Sequence, residues 1–319
     1  MGLYNKLTRN DPLKSTNMKF NSKPLPPQAH AALLVSLLVG IISFVVFPTV
    51  LPYLRNRNVN MFATRRSKTL LSNNSYNFNT DFCNVPRVEA KDLTVPAFIG
   101  DYAGKRPVII VDHEHNKHFP PYITKEKLKQ DFGQIQVILS ASNSYTKDKK
   151  TVSVNHYVNK IMAQPQTLKS LGNETFYLFG DNYGDEWNPL LDRLHISKFA
   201  GSENTLSFGV GGQGSGVPFH FHGGGFSEVF QGRKRWFLTP HDQVPPFDPD
   251  ESMLQWVHNK YNKLDSKREL THLLECTIGP GEMLYFPSQW HHGVLNLDPW
   301  TAFVSTFTLG EDVPRGIIL

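Results

Sequence analysis

The chemistry in this chain lies with its histidines. His220 and His222 close the run Gly214-Ser215-Gly216-Val217-Pro218-Phe219-His220-Phe221-His222. On a strand, residues i and i+2 project from the same face, so the two rings can converge on one metal ion. A third ligand must come from elsewhere, and the stretch Gly281-Glu282-Met283-Leu284-Tyr285-Phe286-Pro287-Ser288-Gln289-Trp290-His291-His292-Gly293-Val294-Leu295-Asn296 offers it. A lone His-x-His pair says little, because surface and core histidines outnumber ligands. The weight comes from the two stretches together, in this order.

The stretches resemble the paired motifs of the cupin family. The first motif places a glycine, five residues, then His-x-His, and Gly214 to His220 fits. The second places a glycine, a proline, a histidine and an asparagine at spacings met by Gly281, Pro287, His292 and Asn296. That spacing selects His292 over His291. The resemblance implies a double-stranded β-helix whose metal ligands are His220, His222 and His292, with Asn296 at the cofactor.

A third stretch, Ser227-Glu228-Val229-Phe230-Gln231-Gly232-Arg233-Lys234-Arg235-Trp236-Phe237-Leu238-Thr239-Pro240, resembles the JmjC branch of that family. There a G-x-K-R-W run supplies a lysine that pairs with the distal carboxylate of 2-oxoglutarate, which gives that role to Lys234. The bland reading of the run is an alternating strand with solvated Arg233 and Arg235. Pro287–His292 followed by Val294-Leu295-Asn296-Leu297-Asp298 resembles the JmjC ending, and the resemblance covers about residues 81–310. It implies Fe(II) and 2-oxoglutarate as cofactors and a protein as substrate.

The chain departs from the JmjC pattern in three places. Most JmjC oxygenases use His-x-Asp/Glu, whose carboxylate helps hold Fe(II), and here the second position is His222. Glu228 is a candidate for the missing carboxylate, although strand parity turns Ser227 rather than Glu228 to the site and so makes Ser227 a candidate for cofactor binding. Val217 stands where several family members carry a threonine touching 2-oxoglutarate, and His291 where a tryptophan is common. Three imidazoles also suit zinc, which is inert in oxygenation. Two readings follow: an Fe(II)/2-oxoglutarate-dependent protein hydroxylase, or a non-catalytic JmjC domain that serves as an interaction module with zinc or no metal.

The elements that must position these residues are short and β-rich. Strand patterns cover Pro107–Val111, Ile135–Leu139, Phe176–Phe179, Thr205–Val210, Ser227–Phe230, Arg235–Leu238, Met283–Phe286 and Ala302–Thr308. Thr124 can cap a helix over Lys125–Phe132, Val154–Met162 and Asp185–Leu194 are helix-like, and Asp250 can cap a helix carrying Met253, Leu254, Val257 and Tyr261. The prediction is a mainly β jelly roll with helical decoration.

Ahead of it, residues 1–28 read as a polar tail, 29–53 as a transmembrane signal anchor, 54–80 as a linker and 81–312 as the folded domain. The apolar run Ala31–Phe47, extended by Pro48–Tyr53, is about long enough to cross a bilayer. Residues 1–68 hold ten Lys/Arg and one acid, so the rest of a chain with net charge +5 carries −4. A mildly acidic domain lacks the footprint of a nucleic-acid binder. The positive-inside rule leans towards a cytosolic domain, whereas the sequons at Asn73 and Asn173 point to glycosylation in a lumen. Cys83 and Cys276 form either one disulfide or two buried thiols, and no C-x-x-C zinc site exists. Tyr177–Asn182, Gly214–His222, Ser227–Phe237 and Glu275–Thr277 look like an endoplasmic-reticulum luminal member of the family. That likeness implies a type II membrane protein with its domain in the lumen, glycosylation, and a Cys83–Cys276 bridge.

Overall fold

The computed structural model describes residues 80–141, 149–164, 175–180 and 184–308. The predicted tail, anchor, linker up to residue 79, both sequon asparagines and the domain's last residues lie outside them. Among the described residues no helix is long and apolar enough to cross a membrane.

The described strands are β1 (Arg87–Glu89), β2 (Val108–Val111), β3 (Gln136–Ala141), β4 (Lys149–Ser153), β5 (Phe176–Leu178), β6 (Asn204–Gly211), β7 (Gly216–His220), β8 (Gly225–Gln231), β9 (Lys234–Thr239), β10 (Leu274–Ile278), β11 (Glu282–Phe286), β12 (His291–Asn296) and β13 (Thr301–Thr308). They form a larger sheet in the order β1-β2-β11-β8-β13-β6-β5-β3-β4 and a smaller one in the order β10-β9-β12-β7. From β6 onward the chain passes back and forth between the sheets, and all pairings among these last strands are antiparallel. This is the jelly roll that the paired motifs imply.

The strands around the site are buried along most of their length because both their faces are covered. Between the sheets, Val229, Leu284, Phe286 and Phe303 meet Trp236, Leu238, Cys276 and Val294. On the outside of the smaller sheet, Phe219, Phe237 and Leu295 pack under the helical segments Met253–Trp256, Val257–Tyr261 and Asn262–Ser266. On the outside of the larger sheet, Phe98 of the helix Val95–Asp101 contacts Phe226 and Tyr285.

Local signals place the helices. Thr124 caps Lys125–Phe132, its hydroxyl accepting from the Lys127 N–H at 3.1 Å. The cap expected at Asp250 is instead Ser252, which forms a reciprocal capping box with Gln255. A cap must stand three residues before the N–H it satisfies, and Asp250 lies two residues too early. Val154–Met162 becomes a short turn, Val154–His156, running into a π turn, Tyr157–Ile161.

Arg235 is not solvated but fully buried, and its guanidinium donates to Glu275 Oε2 at 2.7 Å. The Tyr261 hydroxyl donates to the same carboxylate at 2.9 Å, and a second guanidinium nitrogen donates to the Phe82 carbonyl. This network ties β9 and β10 to the helical cover and to the segment that enters the domain. Cys83 and Cys276 are disulfide-bonded, with their Cα atoms 4.2 Å apart, so the same entering segment is fastened covalently to β10.

Candidate metal centre

Strands β7 and β12 are neighbours, and their register sets His220 opposite His292. The ladder shifts at an irregularity between His292 and Val294, a device that re-aims side chains beside sites. Strand β7 ends at His220, so His222 is not on the strand as expected but two residues past it. The turn between β11 and β12 holds it there: Gln289, at φ 63°, donates its N–H to the His222 carbonyl at 2.9 Å.

The three rings converge. One nitrogen from each of His220, His222 and His292 lies within 4.8 Å of the others, and the Nε2 atoms of His222 and His292 are 3.2 Å apart. Each Nδ1 is bonded to a backbone carbonyl: His220 to Pro218 at 2.8 Å, His222 to Gly223 at 2.7 Å and His292 to Trp290 at 2.9 Å. A carbonyl only accepts, so each Nδ1 carries the proton and each Nε2 keeps its lone pair for the centre. Burial enforces this protonation state. It pushes His220 down to about 4 and His292 well below the ordinary histidine value, with His222 lowered for the same reason. The set can hold a metal ion.

Glu228 does not join it. Alternation along β8 turns Glu228 to the outer face of the larger sheet, where Asn116 Nδ2 donates to its Oε2 at 3.0 Å. Ser227 faces inward and is fully buried, but it does not line the cavity beside the histidines; its cross-strand partner Ser305 does.

Lys234 reaches that cavity from β9, and Asn296, its register partner on β12, lines it too. The Asn296 amide donates to Ser215 Oγ at 2.9 Å. Gly211 permits this arrangement, because a Cβ there would meet Asn296 Nδ2 at 2.2 Å. Lys234 is 3 % exposed, and its Nζ sits 3.3 Å from the centre of the Phe303 ring. No ion pair with it occurs among the described residues, and burial drives its pKa far down.

Aromatic side chains that sequence reasoning did not single out form most of the wall: Phe179, Phe286, Phe303 and Phe307, with Tyr177 and Trp236. The inward parity of Phe303, Ser305 and Phe307 on β13 was the available signal. Val217 also lines the cavity, offering no hydrogen bond. His291 points elsewhere and stacks on His241 at 5.3 Å. The free volume is about 30 Å³, room for about two waters. Among the described residues no acidic side chain lines it, so the charge of a bound cation would not be offset there.

Residues 102–307 match a family described as a cupin-like domain. The chain is 42% identical over 227 residues to JmjC domain-containing protein 8 of Homo sapiens, covering 70% of this chain and 83% of that protein. With the Rattus norvegicus protein of the same name the identity is 43% over 228 residues, covering 70% and 82%. The bifunctional arginine demethylase and lysyl-hydroxylase psr-1 of Caenorhabditis elegans is 26% identical over 259 residues, covering 72% of this chain and 62% of that protein.

Proposed function

This chain belongs to the cupin-like JmjC family, and from that premise we propose that it is an Fe(II)- and 2-oxoglutarate-dependent protein hydroxylase, membrane-anchored with its domain in the endoplasmic-reticulum lumen. The observation that carries the reading is Lys234, a buried amine with no ion-pair partner among the described residues, in the same cavity as three inward-facing Nε2 atoms. A buried charge without a partner is costly, and an anionic ligand offsets that cost. A dicarboxylate matches this charge pattern, with one end at the metal and the other at Lys234.

In this reading His220, His222 and His292 hold Fe(II) through Nε2. Bound iron, with 2-oxoglutarate and O₂, supplies the oxidation of a substrate C–H bond while the cosubstrate is decarboxylated to succinate. The chain's own groups do the rest. Lys234 orients the distal carboxylate, Asn296 and Ser305 border it with polar groups, and the aromatic wall keeps water out. The luminal location is supported by the Cys83–Cys276 disulfide, since such bonds persist in oxidising compartments, and by the predicted anchor at 29–53 with sequons at Asn73 and Asn173.

A second reading is favoured by three observations at the same site. His222 replaces the usual carboxylate, Val217 lines the wall without a donor, and the cavity is far smaller than a five-carbon diacid. On these grounds the domain would be a non-catalytic interaction module that holds zinc or no metal. One assay decides between them: succinate formation by the full chain loaded anaerobically with Fe(II), then given 2-oxoglutarate and O₂, beside a His292→Ala control. Succinate from the natural chain alone is the expected result. Bound iron without turnover transfers the reading to the module.

A further inference from the structure

Back-to-back with the metal centre, on the outer face of the larger sheet, lies a cleft of about 660 Å³, within the usual size of a small-ligand site. Its apolar wall comes from Ile110, Val111, Phe199 and Met283, and the half-exposed Ile196 stands on its rim. Glu228 lies against this wall and is only 8 % exposed.

Glu228 is the part of the cleft that the fold does not account for. Its Oε2 accepts from Asn116, while its Oε1 has no hydrogen bond among the described residues. Lys91 and Lys198 line the cleft, yet neither forms an ion pair with it. Fastening the loop does not require the charge. Asn116 already pairs reciprocally with the His195 backbone, Nδ2 donating at 3.0 Å and Oδ1 accepting at 2.7 Å, and a neutral acceptor at position 228 would serve its remaining N–H equally well. Half-buried His115, which also lines the cleft, leaves Nε2 without a hydrogen bond among the described residues. Five acids line the cleft against those two lysines, and of these Glu114 and Glu282 are paired with Lys117 and Arg87. Burial, with Asp112 nearby, pushes the Glu228 carboxyl up to about 8, which is the signature of a carboxylate lacking a counter-ion.

We propose that this cleft is a second binding site, separate from the metal centre, taking an ammonium or guanidinium group on a short apolar stem, with Glu228 as its counter-ion. The stem packs on Met283 and Phe199, and the cation meets Oε1. The same chemistry can arrive as a free amine or as a lysine or arginine side chain of a protein.

The test uses the full chain carrying ¹³C-methyl methionine, titrated at pH 8 with n-butylguanidinium. Met283 lines the cleft, whereas Met253 packs against Gly293 on the smaller sheet and serves as the internal control. The expected result is a saturable shift of the Met283 methyl alone, weakened about tenfold or more by Glu228→Gln, the loss of one charge-assisted contact. In the natural chain n-pentanol, with a similar stem and no charge, should leave Met283 unmoved, an arm that does not depend on how the variant folds. A hexapeptide with one central arginine that binds more tightly than n-butylguanidinium identifies a protein side chain as the source; equal or weaker binding identifies a free amine. An unmoved Met283, equal binding by Glu228→Gln or by n-pentanol, or a Met253 shift in step with Met283 overturns the proposal.

Discussion

Lys234 and Glu228 are both buried ionisable groups without a counter-ion among the described residues, each pushed by burial toward its neutral form, so both should reveal themselves in stability. Lys234→Met keeps the aromatic packing and removes the ammonium. It should raise unfolding stability by about 1–3 kcal/mol. It should also abolish the stabilisation that 2-oxoglutarate gives the natural protein, both read from urea midpoints of the iron-loaded chain. A less stable variant would mean that Nζ is compensated in the folded state. For Glu228 the folded carboxyl sits near 8 against an ordinary 4.5. Between those values the folded state holds a proton that the unfolded state has released, so stability falls as pH rises. Relative to Glu228→Gln, the natural chain should lose on the order of a few kcal/mol from pH 5 to pH 8. A flat difference would show a solvated carboxylate. The three converging histidines were legible from the likeness of their stretches to the paired cupin motifs, and Lys234 from the G-x-K-R-W likeness. The open side of Glu228 was not, because parity says which face a residue takes but not what covers that face.

Helices and strands here obey local rules at their ends and tertiary rules along their length. Ser252 and Gln255 close a capping box that fixes the start of the helical cover over β9 and β12. Ser252→Ala should cost about 1 kcal/mol in urea unfolding, whereas Asp250→Ala should cost much less, because Asp250 is outside the cap. Equal losses would put the helix start at the wrong residue. Strand patterns were readable at β2, β3, β5, β6, β8, β9, β11 and β13 from their apolar runs. The edge strands β1 and β4 were missed because they are short and mostly exposed, leaving little hydrophobic pattern to read. The bland alternative for this run, a solvated Arg235, fails for the same reason in reverse: alternation puts Arg235 on an outer face, and only the helical cover buries it against Glu275 and Tyr261.

At the scale of the whole molecule, the entering segment is bound to β10 by the Cys83–Cys276 bridge across a separation of 193 residues, and by Asn84 pairing with the backbone of Glu275. Closing so long a loop restricts the unfolded chain, so Cys83→Ser with Cys276→Ser should lower stability by roughly 2–5 kcal/mol. Matched urea titrations of the oxidised and reduced natural chain give the same comparison without a substitution, and coincident curves would remove the bridge as a support. By itself the sequence determined a mainly β domain with helical decoration, and through its likeness to the cupin and JmjC motifs the jelly roll, the three histidines and the lysine that shares their cavity, because motifs are read along the chain. Only the tertiary structure decided that His222 is held by a turn rather than a strand, that a cleft opens beside Glu228, and that six aromatic side chains close around the metal centre. Those outcomes depend on which strands become neighbours and what packs over their faces, and both are set by contacts between residues far apart in the chain.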